Sequence, residues 1–263
     1  MNEPHVDTPR NLFLRRTGLA FAGAWQSLLE FFFPPMCNSC AERLIEGEEH
    51  FCSSCFSAFE PLPLRVCHQC GAPFSPRQIE MDTCPDCPPP PVYFNQSRAA
   101  YYYKGAIVDG VHALKFSARL ELAPWFARQL FERVEKDMAS WRPDGVIPVP
   151  LHFWRRIQRG YNQSEELARH FCRLANLPLW PDALRRTRST HPQSRLKGLR
   201  RQDNVRGAFG PRRPELYTGK HVLLMDDVHT SGSTLNACAG VLMETGAARV
   251  TALTLCRAVA EPQ

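Results

Sequence analysis

Four cysteine pairs of identical spacing constrain the first third of this chain more than any other feature: Cys37-Asn-Ser-Cys40, Cys52-Ser-Ser-Cys55, Cys67-His-Gln-Cys70 and Cys84-Pro-Asp-Cys87. Two residues between ligands let a tight turn aim both sulfurs at one metal. Four thiolates at about 2.3 Å then complete tetrahedral Zn²⁺ with no open position. Each pair is half a site. The gaps between successive pairs are 11, 11 and 13 residues, which predicts pairing of the first with the second and the third with the fourth; an interleaved cross-brace is the alternative. A disulfide framework is disfavoured, because repeated Cys-x-x-Cys in a chain without an export signal reads as zinc, and four repeated pairs exceed what one exchanging dithiol needs. With eight cysteines available, His50 and His68 read as solvated or structural side chains. A ribbon this small buries little apolar surface, so two structural Zn²⁺ are expected to supply much of its folding free energy. Its coordination would be filled by protein, so scaffolding or partner binding is its expected work.

The remainder is different in kind. The 263 residues are 44% apolar and 22% charged, which excludes a disordered or fibrous chain and fits one α/β domain plus a small module. Of the eleven cysteines, Cys172, Cys238 and Cys256 lie in apolar segments and read as core thiols. No stretch reaches the roughly 18 uninterrupted apolar residues of a membrane span. The nearest, Thr17 to Pro35, follows Arg15-Arg16 and superficially imitates a twin-arginine signal, but Gln26, Ser27 and Glu30 interrupt it and no small-residue cleavage site follows. An amphipathic helix over about residues 11–32, stopped by Pro34-Pro35, is expected there, and a reducing cytoplasm is the expected compartment. The expected division is a tail and helix over 1–33, a double zinc ribbon over 34–91 and an α/β domain over 92–263.

Pro88 to Pro91 reads as a stiff linker. Beyond it, strands are predicted at Ser97 to Tyr103, Asp144 to Pro150, His221 to Met225 and Val250 to Leu255. Helices are predicted at Ala106 to Phe116, Leu120 to Ser140, Ser164 to Asn176 and Thr234 to Thr245. Alternating strands and helices imply a parallel sheet flanked by helices on both faces. Ligands in such folds sit at the carboxyl ends of strands.

At one such end stands Val222-Leu-Leu-Met-Asp226-Asp227-Val-His229-Thr230-Ser231-Gly232-Ser233-Thr234. A helix N-terminus offers unpaired N–H groups and a positive dipole end, and Gly232 lets the backbone approach a ligand, so the turn reads as a phosphate cradle. Adjacent carboxylates seek hydroxyls or a cation instead. Ribose 5-phosphate meets both demands.

The stretch resembles the phosphoribosyl pyrophosphate (PRPP) signature of type I phosphoribosyltransferases, matching every position type but one. The resemblance implies that Asp226 and Asp227 hold the ribose 2′ and 3′ hydroxyls and that Thr230, Ser231, Gly232, Ser233 and Thr234 hold the 5′-phosphate. The departure is His229, where an aliphatic residue is usual. Purine-type members tend to carry an acid where this chain has Thr230, so purine salvage is not supported.

Further motifs narrow the likeness. Pro150-Leu-His152-x-x-Arg155-x-x-x-Arg159-Gly160-Tyr161-Asn162-Gln163 is followed by Gln193-x-x-Leu196, Arg201-x-x-Asn204 and Gly207-Ala208-Phe209. With the paired cysteines these are similar to the ComF family of competence and DNA-utilisation proteins, which includes proteins named GntX. The similarity spans roughly residues 28–258. It implies a PRPP-binding, phosphoribosyltransferase-like protein acting in DNA uptake or in use of DNA-derived nucleotides, with DNA-import machinery as an expected partner. If it catalyses, pyrophosphate is displaced at ribose C1: Mg²⁺ would neutralise the diphosphate, Asp226 and Asp227 would position the sugar, and Arg155 and Arg159, with Gly160 allowing the turn, would face the leaving group.

Charge adds an alternative. Leu151 to Arg213 holds fifteen Arg/Lys against four Asp/Glu, a net of +11 in a chain whose total is +6. Thr187 to Phe209 resembles a mobile loop that closes over substrate. Its Arg195, Lys197, Arg200 and Arg201 equally suit nucleic-acid phosphates, and Trp154 and Tyr161 lie between arginines, as base stacking or core packing would allow. A non-catalytic PRPP or nucleotide sensor that binds single-stranded DNA is therefore the competing expectation.

Overall fold

A computed structural model describes residue 32, residues 34–74, 84 and 87, 90–187 and 207–259. The expected helix over 11–32 lies outside the described residues apart from Phe32, as do Arg195, Lys197, Arg200 and Arg201. The chain forms two compact units, one up to Phe56 and one from Ser57 onward.

The unit up to Phe56 is organised by a knuckle. The Cys37 N–H donates to Glu42 O at 2.8 Å and the Ala41 N–H to Cys37 O at 3.2 Å, with Ala41 left-handed at φ 58°. Helix α1, Ser53–Ser57, carries Cys55.

The unit from Ser57 repeats that knuckle and adds the α/β body. Cys67 N–H donates to Ala72 O at 2.7 Å and Gly71 N–H to Cys67 O at 2.9 Å. Gly71 has φ +69°, and a Cβ there would stand 2.6 Å from Ser97 O, so this second knuckle lies directly on the first strand of the sheet. Only glycine permits that approach.

The body runs β1 (Gln96–Tyr102), α2 (Ala106–Phe116), α3 (Leu122–Trp141), β2 (Gly145–Pro148), α4 (Phe153–Arg159), α5 (Gln163–Ala175), β3 (Leu184–Arg186), β4 (Phe209–Pro211), a 3₁₀ turn (Pro214–Leu216), β5 (His221–His229), α6 (Ser233–Glu244) and β6 (Arg249–Arg257). The main sheet has the order β1-β6-β5-β2 and every pairing is parallel. Period-two alternation sends Val222, Leu224, Val250 and Ala252 to one face, where they pack with Leu235, Cys238, Ala239 and Leu242 of α6. Helices α3 and α5 pack on the sheet as well, α3 against β1 and β6 and α5 against β2 and β5. Cys172, Cys238 and Cys256 are buried, as core thiols should be.

Two differences from the sequence expectation matter. Strand β5 continues four residues beyond Met225, because its backbone remains paired with β6 through Asp226↔Thr254 and His229↔Arg257. The acids are therefore strand residues. In addition, β3 and β4 form a separate antiparallel ribbon, register Arg186↔Phe209, from which the long basic segment departs.

Candidate functional site: two cysteine clusters and a cavity at the strand ends

Cys37, Cys40, Cys52 and Cys55 converge in one cluster and Cys67, Cys70, Cys84 and Cys87 in another, with the ligand atoms of each cluster within 4.8 Å of one another. This is the sequential pairing, and the interleaved one is excluded. All eight thiols are free. Sulfurs of a tetrahedral site with bonds of about 2.3 Å lie about 3.8 Å apart. Observed separations include 3.8 Å for Cys84 and Cys87, 3.4 Å for Cys70 and Cys84 and 3.5 Å for Cys40 and Cys52. The donor sets fit structural Zn²⁺. Around the second cluster, Arg257 is buried with Nε and Nη1 lacking a hydrogen-bond partner among the described residues. Burial draws its pKa down while the charges of Cys70, Cys84, Cys67 and Cys87 oppose that shift. A guanidinium in this place suits a zinc tetrathiolate, which carries two negative charges.

The carboxyl ends of β2 and β5 open on a cavity of about 310 Å³. Asn162 holds its floor in register: its Oδ1 accepts from Ser164 N at 3.2 Å to cap α5, and its Nδ2 donates to Val149 O at 3.0 Å, tying the helix start to the chain leaving β2. Ser164 Oγ then donates to Asp226 Oδ1 at 2.6 Å, and Asp227 N donates to the same oxygen at 2.9 Å. Asp227 is 4% exposed, and its Oδ2 stands 3.0 Å from Nζ of Lys115 on α2. Burial, then the charge of Asp227, pushes the Asp226 carboxyl up to about 7, with Ser164 and Lys115 opposing. Burial pulls the Lys115 ammonium down, but Asp227 and Asp226 outweigh it and its pKa stands above the ordinary lysine value.

Cations line the opposite wall. Arg155 and Arg186 both face the cavity. Burial and then the charge of Arg155 lower the Arg186 pKa, while its guanidinium lies 5.2 Å from the Phe209 ring centroid. Two guanidiniums brought together against their own repulsion make an anion site.

The turn after β5 closes the third side. Gly232 is the N-cap of α6, left-handed at φ 73°, and Ser231 Oγ lies 2.8 Å from Ser233 Oγ. Thr230, Gly232, Ser233 and Thr234 reach the cavity wall. The N-terminus of this twelve-residue helix, its positive dipole end, thus lies at a cavity already lined with cations.

Comparison with known proteins fits this arrangement. The double zinc ribbon domain family matches residues 28–88 and the phosphoribosyl transferase domain family residues 123–262. A DNA utilization protein of Shigella flexneri is 33% identical over 85% of this chain and 97% of its own length. Competence protein F of Haemophilus influenzae is 27% identical over 86% of this chain and 99% of its own, and competence protein ComFC of Bacillus subtilis 27% identical over 81% and 87%. The chain belongs to the ComF family.

In this ComF protein the structure brings Asp226, Asp227, Arg155, Thr230, Gly232, Ser233 and Thr234 to one cavity. Ser231 bonds within the turn. Arg159 and Gly160 stand apart from the cavity wall. Arg159 donates to Gln163 Oε1 at 2.5 Å and its guanidinium lies 5.0 Å from the Phe116 ring centroid, while Gly160 is the left-handed C-cap of α4 at φ 83°. Trp154 is 68% exposed, which removes core packing as its role. Lys115, Ser164, Arg186 and Tyr103 were not legible as site residues. Lys115 ends an ordinary helix and Arg186 sits in a three-residue strand, so only tertiary placement reveals them.

Proposed function

We propose that this chain binds PRPP in the cavity at the ends of β2 and β5 and serves DNA uptake or the use of DNA-derived nucleotides, a reading supported by relatives named for DNA utilization and for competence. The observation that carries this reading is the convergence of three unlike demands in one cavity: a carboxylate pair, a glycine-hydroxyl turn at a helix N-terminus, and two arginines. PRPP satisfies each. The turn takes the 5′-phosphate, Asp226 and Asp227 take the 2′ and 3′ hydroxyls, and Arg155 with Arg186 faces the diphosphate. Arg159 and Gly160 support the segment that carries Arg155.

In this reading residues 34–91 are a zinc-held ribbon module and 92–263 the sugar-phosphate domain, working in a reducing cytoplasm where eight thiols stay available to zinc. If turnover occurs, the C1–O bond to diphosphate breaks as an acceptor nitrogen bonds to C1. Mg²⁺ would supply charge neutralisation on the diphosphate. The chain's own residues orient the ribose and hold the departing anion. Titration calorimetry with PRPP tests the reading: micromolar binding by the wild type, lost in Asp226→Asn with Asp227→Asn at unchanged zinc content, is expected. Equal affinity in the variant removes the assignment.

One observation favours a second reading, in which the chain also holds single-stranded DNA. On α4, Phe153, Trp154 and Ile157 are exposed beside the exposed Arg156 and the half-buried Arg155 and Arg159, a pairing of stacking surface with cations. A salt titration of oligonucleotide affinity separates the readings; a steep slope that falls in Arg156→Ala supports DNA binding, and salt-insensitive or absent binding rejects it.

A further inference from the structure

The departure at position 229 places an imidazole under the phosphate turn. His229 ends β5, is 1% exposed and yet contributes to the cavity wall. Its Nδ1 lies 3.0 Å from Oγ of Ser97, itself 1% exposed on β1. Its Nε2 is buried and has no hydrogen-bond partner among the described residues. A Cβ built on Gly232 would stand 2.7 Å from that Nε2. The imidazole therefore occupies the space a side chain at position 232 would fill, with its unpartnered nitrogen against the N-cap of α6.

We propose that His229 is a binding residue for the phosphate end of the ligand: Ser97 donates its hydroxyl proton to Nδ1, the proton of the neutral ring sits on Nε2, and Nε2–H donates to the anion held by the turn. This rests on the reading that the turn takes a phosphomonoester and adds a donor that the aliphatic residue usual at this position lacks.

Three features support it. The ring is neutral, because burial and then the charge of Arg257 hold its pKa well below the ordinary value. A neutral ring has one donor and one acceptor nitrogen, and a serine hydroxyl supplies either partner. Finally, a buried polar nitrogen without a partner is costly to keep unless a ligand satisfies it. The Phe94 ring lies edge-on to the imidazole with the centroids 6.3 Å apart, and the side chain is 1% exposed, so solvent does not satisfy the nitrogen.

The experiment uses the full zinc-loaded chain with ¹⁵N-labelled histidine and ribose 5-phosphate, inorganic phosphate and ribose as probes. In the free protein the His229 Nε2 resonance is expected to be that of a protonated nitrogen and Nδ1 that of an acceptor. Ribose 5-phosphate and inorganic phosphate shift Nε2–H downfield, and ribose does not. His229→Val restores the aliphatic residue and is expected to weaken ribose 5-phosphate about tenfold, while Ser97→Ala releases the tautomer and weakens it less. An Nε2 resonance that ignores the phosphate probes, or full affinity in a folded His229→Val, overturns the proposal while leaving the sugar-phosphate reading in place. Absence of any ribose 5-phosphate or PRPP binding by the wild type overturns both.

Discussion

Lys115 Nζ lies 3.0 Å from Asp227 Oδ2, with the two side chains 18% and 6% exposed. A nearly buried ion pair at a ligand site ties the end of α2 to the end of β5 before any ligand arrives. Breaking one partner leaves an uncompensated charge, which costs about 3–5 kcal/mol. Lys115→Met should therefore lower the urea midpoint strongly, whereas Lys115→Met combined with Asp227→Asn should recover most of that loss. Equal midpoints for the single and double variants would show that the pair is not coupled.

Asp226 gives a pH dependence of definite sign. Its carboxyl is raised from 3.8 to about 7 in the folded chain, so between those values the native state holds a proton that the unfolded state has released. This contribution to stability is present below about pH 4 and is lost as pH rises through about 7. The melting temperature of the wild type relative to Asp226→Asn should fall across that window. A difference that stays flat, or rises, contradicts the assigned environment.

Clustered cysteines predict metal stoichiometry. Cys37 and Cys52 share one cluster, so Cys37→Ser with Cys52→Ser should lose one of two zinc equivalents by elemental analysis. An interleaved arrangement would lose both. Strong chelation of the wild type should remove both equivalents and melt the knuckles first, since metal binding and folding are linked there.

Gly232→Ala meets two obstacles. Its φ of 73° is strained for any side chain, about 1–2 kcal/mol, and its Cβ would press on His229 Nε2 at 2.7 Å. Lower thermal stability and loss of sugar-phosphate affinity should appear together. His229→Ala in the same chain should relieve the contact and restore part of the stability.

How much of this could be read from residues alone follows from where the information is local. The knuckles were legible because Cys-x-x-Cys is complete within four residues, and the carboxylates and the turn because Asp226 to Thr234 is one continuous segment. Helix bounds fell within one or two residues, since caps such as Asn162 and Asn176 are local signals. The extent of β5 was not legible, because Asp226 and Asp227 look like strand terminators until β6 pairs beside them. Lys115, which comes to Asp227 across 112 positions of sequence, carried no signal at all, and Arg159 looked equivalent to Arg155 because its partners, Gln163 Oε1 and the distant Phe116 ring, are set by tertiary structure.

The most direct test of the account is a crystal structure of the zinc-loaded chain with PRPP. The prediction is a 5′-phosphate against the backbone N–H groups of residues 230–234, with the ribose hydroxyls on Asp226 and Asp227. PRPP bound elsewhere, or those carboxylates left facing Lys115 and Ser164 with no sugar between them, would contradict it.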